Sequence, residues 1–206
     1  MDLTRPYSAV SPTIEGEVLT TLARTTRPLS GREVARLVRR GTQPSVQRAL
    51  NHLVEHGVVD SQEAGGRAVL YTLNRDHLAY PAVEILARLR SDLSRRLRES
   101  IGSWAVKPVH VSVFGSAARG DGDTRSDIDV FLVRPGRVDE DDASWRSQVD
   151  ALTSEITRWT GNPVSISEVA ERQIEGLKRA RPEIVAELER DSIVLAGPPA
   201  TELLRR

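Results

Sequence analysis

The sequence contains no cysteine and no long apolar run. Without cysteine, disulfides and thiolate-held metals are excluded, so a bound metal must use oxygen or imidazole ligands. The first ten residues lack a long apolar stretch, and no run of 18 apolar residues follows. We therefore expect neither a signal peptide nor a transmembrane helix, and we expect a cytoplasmic protein with no membrane partner.

Charge is balanced overall but unevenly distributed along the chain. Residues 1–75 contain 10 arginines against 7 acidic residues, a net charge of +3. Residues 103–206 contain 14 basic and 18 acidic residues, a net charge of −4. The first part thus favours a polyanionic partner, although a charge of +3 alone is weak support, and the last part favours a cation.

Between residues 11 and 55, three stretches have apolar positions at helical spacing. The first spans residues 11–25, with Ser11 as its predicted N-cap before a first-turn proline. The second begins at Ser30, which with Glu33 forms a capping box. The third is predicted over Gln43–Glu55. These patterns indicate a compact helical beginning of the chain.

A two-stranded hairpin is predicted next, with its tip at residues 64–66 and its return strand at residues 68–73. Three short helices followed by a Gly-Gly hairpin is the element order of a winged helix-turn-helix domain. The stretch LSGREVARLVRRGTQPSVQRALNHLVEHGVVDSQEAGGRAVLYTLN resembles that family.

This resemblance implies that the third helix enters a major groove and that the hairpin is the wing. The candidate contacts are polar residues opposite the apolar stripe and an arginine of the wing: Gln43, Ser45, Gln47, Arg48 and Arg67. We expect duplex DNA or RNA as the partner, and a homodimer is compatible with the family. The alternative is that these side chains are solvated residues of a protein-binding winged helix.

A long amphipathic helix is predicted over residues 76–102, where apolar positions recur at intervals of three and four. Such a helix could connect two domains, pack as part of the second domain, or form a dimer seam, and the sequence leaves all three open. The predicted organisation is a winged helix over 1–75, a connecting helix over 76–102, and a second domain over 103–206.

The second domain carries the residues that point to chemistry. Valines alternate along a strand that stops at Gly115-Ser116, and a second apolar strand carries Asp127 and Asp129. Residues two apart in a strand face the same side, so both carboxylates are available to one hard cation such as Mg²⁺. Gly115 lets the backbone approach a polyphosphate, and Ser116 adds a hydroxyl and an N–H.

An Asp-x-Asp alone is common, but here it follows a strand, Gly-Ser and a ten-residue spacer. The stretch FGSAARGDGDTRSDIDVFLV resembles the nucleotidyltransferase superfamily related to DNA polymerase beta, especially the minimal nucleotidyltransferases of prokaryotes. The resemblance extends over residues 103–200, with TRWTGNPVSISEV as a third strand and RPEIVAELERDSIVLAG as a closing helix and tail. It implies an α+β chain whose last domain is an α/β unit with a small mixed sheet.

The resemblance also implies roles for single residues. Asp127 and Asp129 would hold one or two Mg²⁺ ions, Gly115 and Ser116 would bind a nucleoside triphosphate, and Arg119 would brace the loop or a phosphate. An acceptor hydroxyl on a protein, nucleic acid or small molecule would attack the α-phosphorus and release pyrophosphate. Related domains act in toxin–antitoxin systems, which makes a protein acceptor or antitoxin an expected partner.

One departure from the family concerns the third carboxylate, which active members carry on the next strand. That strand reads Val164-Ser165-Ile166-Ser167-Glu168, so serines occupy the active-site side and Glu168 has the wrong parity unless a bulge turns it inward. Two interpretations stay open: an enzyme that uses Glu168 or a group from the substrate, and a DNA-binding transcriptional regulator whose second domain binds nucleotide or oligomerises without catalysis.

Overall fold

The computed structural model describes residues 1–65 and 68–205 of a mixed α+β chain. The chain forms two compact units, one of Arg5–Arg90 and one of Met1–Thr4 together with Ser91–Arg206. The division lies inside the helix α4 (Tyr80–Gly102). The first four residues, which the sequence analysis assigned to the first domain, therefore belong to the second unit.

In the first unit, helices and a small antiparallel sheet alternate along the chain. The helices are α1 (Ile14–Ala23), α2 (Gly31–Leu37) and α3 (Gln43–Glu55), preceded by a 3-10 helix at Pro6–Ala9. The strands are β1 (Leu29–Ser30), β2 (Val59–Ala64) and β3 (Ala68–Leu73), in the order β1-β3-β2. The helix α3 and the return strand have their predicted bounds, whereas β1 was not predicted.

Caps explain where the first helices begin. The Ser30 N–H donates to Glu33 Oε2 at 2.8 Å and the Glu33 N–H donates to Ser30 Oγ at 3.3 Å, which confirms the predicted capping box. The predicted cap at Ser11 is wrong. Thr13 caps α1, and its hydroxyl accepts the Gly16 N–H at 3.2 Å. Thr13 has an extended backbone directly before the first helical residue, which is the position where a cap acts.

The second unit is built on a mixed sheet. Its strands are β4 (His110–Phe114), β5 (Ile128–Arg134), β6 (Val164–Ala170) and β7 (Ile193–Ala196). They lie in the order β6-β5-β4-β7, with β5 and β6 parallel and the other pairs antiparallel. The remaining helices are α5 (Gly115–Arg119), α6 (Ala143–Thr160), α7 (Ile174–Ala180), α8 (Glu183–Asp191) and α9 (Ala200–Leu203), with a 3-10 helix at Glu171–Gln173.

The two faces of this sheet have different neighbours, because side chains alternate along each strand. We call them the α6 face and the α8 face. On the α6 face, Val111, Val130 and Leu132 pack in one buried cluster with residues of α4 and α6. On the α8 face, Phe114 and Phe131 pack in another cluster with residues of α7, α8 and α9. Antiparallel pairing with Phe114 puts Asp129 on the α8 face.

Within the described ranges, no helix combines the length and hydrophobicity needed to cross a membrane.

Candidate functional site

Gly115 lies at the sharp junction between β4 and α5. Its backbone has a φ of +64°, in the left-handed region that disfavours other residues. A Cβ at this position would also lie 2.7 Å from Oδ2 of Asp129. The junction therefore requires glycine for its backbone conformation and again for its closeness to the carboxylate.

The carboxylates of Asp127 and Asp129 flank the start of β5. Asp127 is exposed directly before the strand, and Asp129 is half-buried on the α8 face. Ile128 between them is fully buried in the other cluster. In the described part of the chain, neither carboxylate has a hydrogen bond or an ion pair. Two neighbouring carboxylates without a counter-charge are unfavourable unless a cation is bound.

The pKa of Asp129 reflects both its burial and this repulsion between neighbouring carboxylates. Burial raises the pKa of Asp129, and the negative charges of Asp127 and Glu187 raise it further, while Arg119 acts in the opposite direction. Partial burial and two nearby carboxylates both disfavour the charged form. A divalent cation would reverse this balance by stabilising both ionised carboxylates.

The carboxylates of Asp127 and Asp129 are suitable ligands for Mg²⁺. Both offer oxygen ligands, and Mg²⁺ is commonly held by one or two carboxylates together with substrate phosphates and water. Among residues 1–65 and 68–205, no group of three or more acidic or histidine side chains is arranged to hold a metal by itself. The pair would therefore leave several coordination positions for phosphate oxygens.

Ser116 and Arg119 lie on α5 beside this pair. Ser116 is half-buried, and its hydroxyl makes no hydrogen bond to the described residues. Arg119 Nε donates to Asp121 Oδ2 at 3.0 Å, and its Nη1 donates to Asp191 Oδ2 at 3.2 Å. Arg119 thus ties the loop after α5 to the end of α8. Its contact with a phosphate stays a prediction.

Glu168 lies away from the two aspartates. The parallel register pairs it with Leu132, which turns its side chain to the α6 face. There its Oε1 accepts hydrogen bonds from Arg134 Nε at 2.7 Å and from Trp145 Nε1 at 3.0 Å. Arg134 is 4% exposed, so Glu168 neutralises a buried cation. The structure does not support the catalytic role predicted for Glu168: β6 has no bulge over the described register, so the side chain keeps the parity that turns it away from the acidic pair.

The α8 face of β6 carries Ser165 and Ser167, which pair with Asp129 and Phe131. Besides Asp127, the carboxylate that raises the pKa of Asp129 belongs to Glu187 on α8 and not to a residue of β6. Glu187 is half-buried and has no hydrogen bond or ion pair among the described residues. Sequence analysis missed it, because only the packing of α8 on α5 and β4 brings it near.

Of the four predicted nucleic-acid contacts on α3, two are exposed and two make hydrogen bonds within the unit. Gln43 and Arg48 are exposed. Ser45 Oγ accepts the Thr42 N–H at 2.8 Å and so belongs to the start of the helix. Gln47 Nε2 donates to Tyr71 Oη at 2.8 Å.

The wing was predicted to contribute Arg67, which lies outside the described residues. A groove of about 650 Å³ is lined by residues of α3, β3 and the start of α2. Gln43, Gln47, Val69 and Tyr71 are among the residues that line it.

Residues 93–194 match the family model of the nucleotidyltransferase domain. The matched segment includes Gly115, Ser116, Asp127 and Asp129. This similarity supports placing that segment in the nucleotidyltransferase superfamily, with the general activity of nucleotidyl transfer. Comparison with curated proteins and with solved structures gave no match.

Proposed function

We propose that this protein is a Mg²⁺-dependent nucleotidyltransferase that transfers a nucleoside monophosphate from a triphosphate to an acceptor hydroxyl. The observation that carries this proposal is the pair Asp127 and Asp129, which has no hydrogen bond or ion pair among the described residues and lies beside the Gly115-Ser116 junction. The match of residues 93–194 to the nucleotidyltransferase domain supports it independently.

In this proposal, Asp127 and Asp129 hold Mg²⁺ and Ser116 binds a phosphate oxygen. Gly115 leaves room for the phosphates because it has no side chain. When held by these carboxylates, Mg²⁺ would supply charge neutralisation of the phosphates. The acceptor oxygen forms a bond to the α-phosphorus, the bond from that phosphorus to the bridging oxygen of the β-phosphate breaks, and pyrophosphate leaves. Catalysis depends chiefly on positioning and charge neutralisation.

The acceptor hydroxyl must lose a proton in this reaction, and Glu187 is our candidate for the general base. It is the carboxylate whose charge reaches Asp129 from the helix that covers this face. Its lack of a hydrogen bond or ion pair among the described residues leaves it able to accept a proton. Glu168 is unsuited to this role, because Arg134 and Trp145 already occupy its carboxylate.

We further propose that the first unit is a winged helix that recruits the protein to duplex DNA or RNA, or to a partner protein. The exposed Gln43 and Arg48 on α3 and the net charge of +3 over residues 1–75 support a polyanionic partner. A DNA-binding regulator with a non-catalytic nucleotide domain is the second candidate. The observation that favours it is the presence of Ser165 and Ser167 on the active-site face, where the family carries a carboxylate.

The catalytic proposal is tested by following label from α-³²P nucleoside triphosphates into protein, RNA and small-molecule acceptors. We expect Mg²⁺-dependent label transfer and pyrophosphate release by wild type, loss of both in Asp127→Asn, and no loss in Asp139→Asn, which removes an exposed acidic charge elsewhere in the same unit. Nucleotide binding without transfer to any acceptor would favour the regulator instead.

The nucleic-acid proposal is tested by fluorescence anisotropy with labelled duplex DNA and RNA over a range of salt concentrations. Arg48→Ala should weaken binding and reduce its salt dependence, because one phosphate contact is lost. Arg24→Ala removes the same charge from an exposed position at the end of α1 and serves as the control. Equal binding by both variants would contradict a role for α3.

A further inference from the structure

The loop of residues 120–127, which we call the acidic loop, joins α5 to β5 and carries Asp127 at its end. Asp123 organises its centre. Oδ1 of Asp123 accepts the N–H groups of Arg125 at 2.8 Å and Ser126 at 3.0 Å, and the Ser126 hydroxyl at 3.1 Å. These hydrogen bonds depress the pKa of Asp123. They make the turn compact, but they do not attach it to the rest of the unit.

That attachment comes from Asn162, which follows the end of α6. Asn162 is 0% exposed. Its Nδ2 donates to the carbonyl oxygens of Asp123 and Ser126, each at 3.0 Å. Its Oδ1 accepts from the backbone nitrogen of Met1. Both donors and the acceptor of this buried amide are thus used, and two of the three contacts hold the acidic loop.

The segment Met1–Thr4 supports the same loop from the side. The Leu3 N–H donates to the Gly122 carbonyl at 2.9 Å. Leu3 is 2% exposed and packs in the cluster on the α6 face. The Met1 nitrogen also donates to the Thr160 carbonyl at 2.6 Å. The acidic loop therefore has fixed contacts at its beginning, through Gly122, and near its end, through Ser126.

The acidic loop also touches the other residues of the candidate site. A Cβ on Gly122 would lie 2.9 Å from Ser116 Oγ, so the loop backbone packs directly against Ser116. Asp121 accepts from Arg119. The last residue of the acidic loop is Asp127. A displacement of this loop would therefore shift a proposed metal ligand and the surroundings of a proposed phosphate-binding hydroxyl together.

We propose that Asn162 is a positioning residue for the nucleotide site, which acts by holding the acidic loop in the place where Asp127 and Asp129 share a cation. Asparagine suits this position because two donors must reach two carbonyls while one acceptor meets Met1. Aspartate lacks the donors, and alanine lacks both functions. The consequence for nucleotide binding rests on the proposed function, whereas the restraint of the loop does not.

The restraint is tested by hydrogen–deuterium exchange of the full-length protein without metal or nucleotide. We expect about tenfold faster exchange in peptides covering residues 121–128 of Asn162→Ala and Asn162→Asp, because two buried hydrogen bonds to the loop are lost. Thr160→Val is the matched control. It removes a buried hydroxyl that Asn162 N–H contacts at 3.1 Å, but it leaves both bonds to the loop.

The consequence for the site is tested by titrating Mn²⁺ with a non-hydrolysable nucleoside triphosphate analogue. Asn162→Asp and Asn162→Ala should bind the complex about 10-fold more weakly, the lower end of the effect of supporting residues at metal sites, and Thr160→Val should bind it as wild type does. Absence of binding by wild type would overturn the proposed function but not the restraint.

Unchanged exchange of residues 121–128 in both Asn162 variants would overturn the proposal. Unfolding of both variants while Thr160→Val stays folded would also overturn it, because Asn162 would then serve the stability of the whole unit. Faster exchange confined to the acidic loop, together with weaker Mn²⁺–nucleotide binding, is the result that the proposal requires.

Discussion

Gly115 has a left-handed backbone conformation and lies close to the carboxylate of Asp129. A substitution at this position should affect both the stability of the protein and the nucleotide site. Gly115→Ala should destabilise the protein by about 1–2 kcal/mol because of its positive φ. It should also abolish Mn²⁺–nucleotide binding, because the new methyl group lies 2.7 Å from Asp129 Oδ2. Urea denaturation and calorimetric titration measure the two effects.

Gly161 provides the control for this prediction. It has a φ of +73°, and a Cβ there would have no neighbour within 4 Å. Gly161→Ala should therefore show the same loss of stability with intact Mn²⁺–nucleotide binding. If Gly115→Ala binds the complex as well as Gly161→Ala does, the proposed place of the nucleotide beside Asp129 is wrong.

His110 makes the second unit sensitive to acid. It is 0% exposed, with Nδ1 2.8 Å from the Pro198 carbonyl and Nε2 2.9 Å from Ser112 Oγ. Burial lowers its pKa from the ordinary value of 6.5, and the Pro198 carbonyl opposes this shift. The folded protein thus keeps His110 neutral where the unfolded chain takes up a proton. Stability is fully present above pH 6.5 and is lost as the pH falls below it.

Because burial lowers the pKa of His110, we expect the free energy of unfolding to decrease as the pH falls below 6.5. Urea denaturation at several pH values measures the slope. His110→Asn should flatten it, and His52→Asn, at an exposed position on α3, should not. An equal slope in wild type and His110→Asn would show that other groups control the acid response.

At the scale of elements, α8 is the helix that supplies the proposed general base. Glu187→Gln should lower the rate of pyrophosphate release in single-turnover experiments by about 100-fold. Mn²⁺–nucleotide binding should persist, because Asp127 and Asp129 remain. Glu183→Gln makes the same change at an exposed position on the same helix. Equal rates for the two variants would exclude Glu187 as the base.

Elements with strong local signals could be predicted from the sequence. The helix α3 has its predicted bounds, and the capping box of Ser30 and Glu33 forms as expected. The antiparallel hairpin of β2 and β3 also follows the prediction. In each case, residues adjacent in sequence supply the decisive hydrogen bonds or alternation, so no distant contact is needed.

Elements that depend on distant parts of the chain were missed. The strand β1 is two residues long and exists only through pairing with β3. Glu187 comes near Asp129 only through the packing of α8 on α5 and β4. The alternation along β6 already predicted that the Glu168 side chain faces away from the site. Its hydrogen bonds with Arg134 and Trp145 could not be predicted, because they depend on the packing of distant parts of the chain.

At the scale of the whole molecule, the two units have different charges and different candidate partners. The net charge of +3 over residues 1–75 matches a polyanion, and the acidic site of the second unit matches a divalent cation. The family match covers residues 93–194 and thus concerns the second unit and its site. The winged-helix assignment of the first unit and its nucleic-acid partner remain predictions.

The proposed function depends on the binding of a metal–nucleotide complex by Asp127 and Asp129. The most direct test is calorimetric titration of each nucleoside triphosphate into the full-length protein, in Mg²⁺ and in EDTA, with wild type and Asp129→Asn. We expect wild type to bind at least one triphosphate in Mg²⁺, and we expect both EDTA and Asp129→Asn to abolish this binding. Binding that persists unchanged in EDTA or in Asp129→Asn would contradict the proposed function.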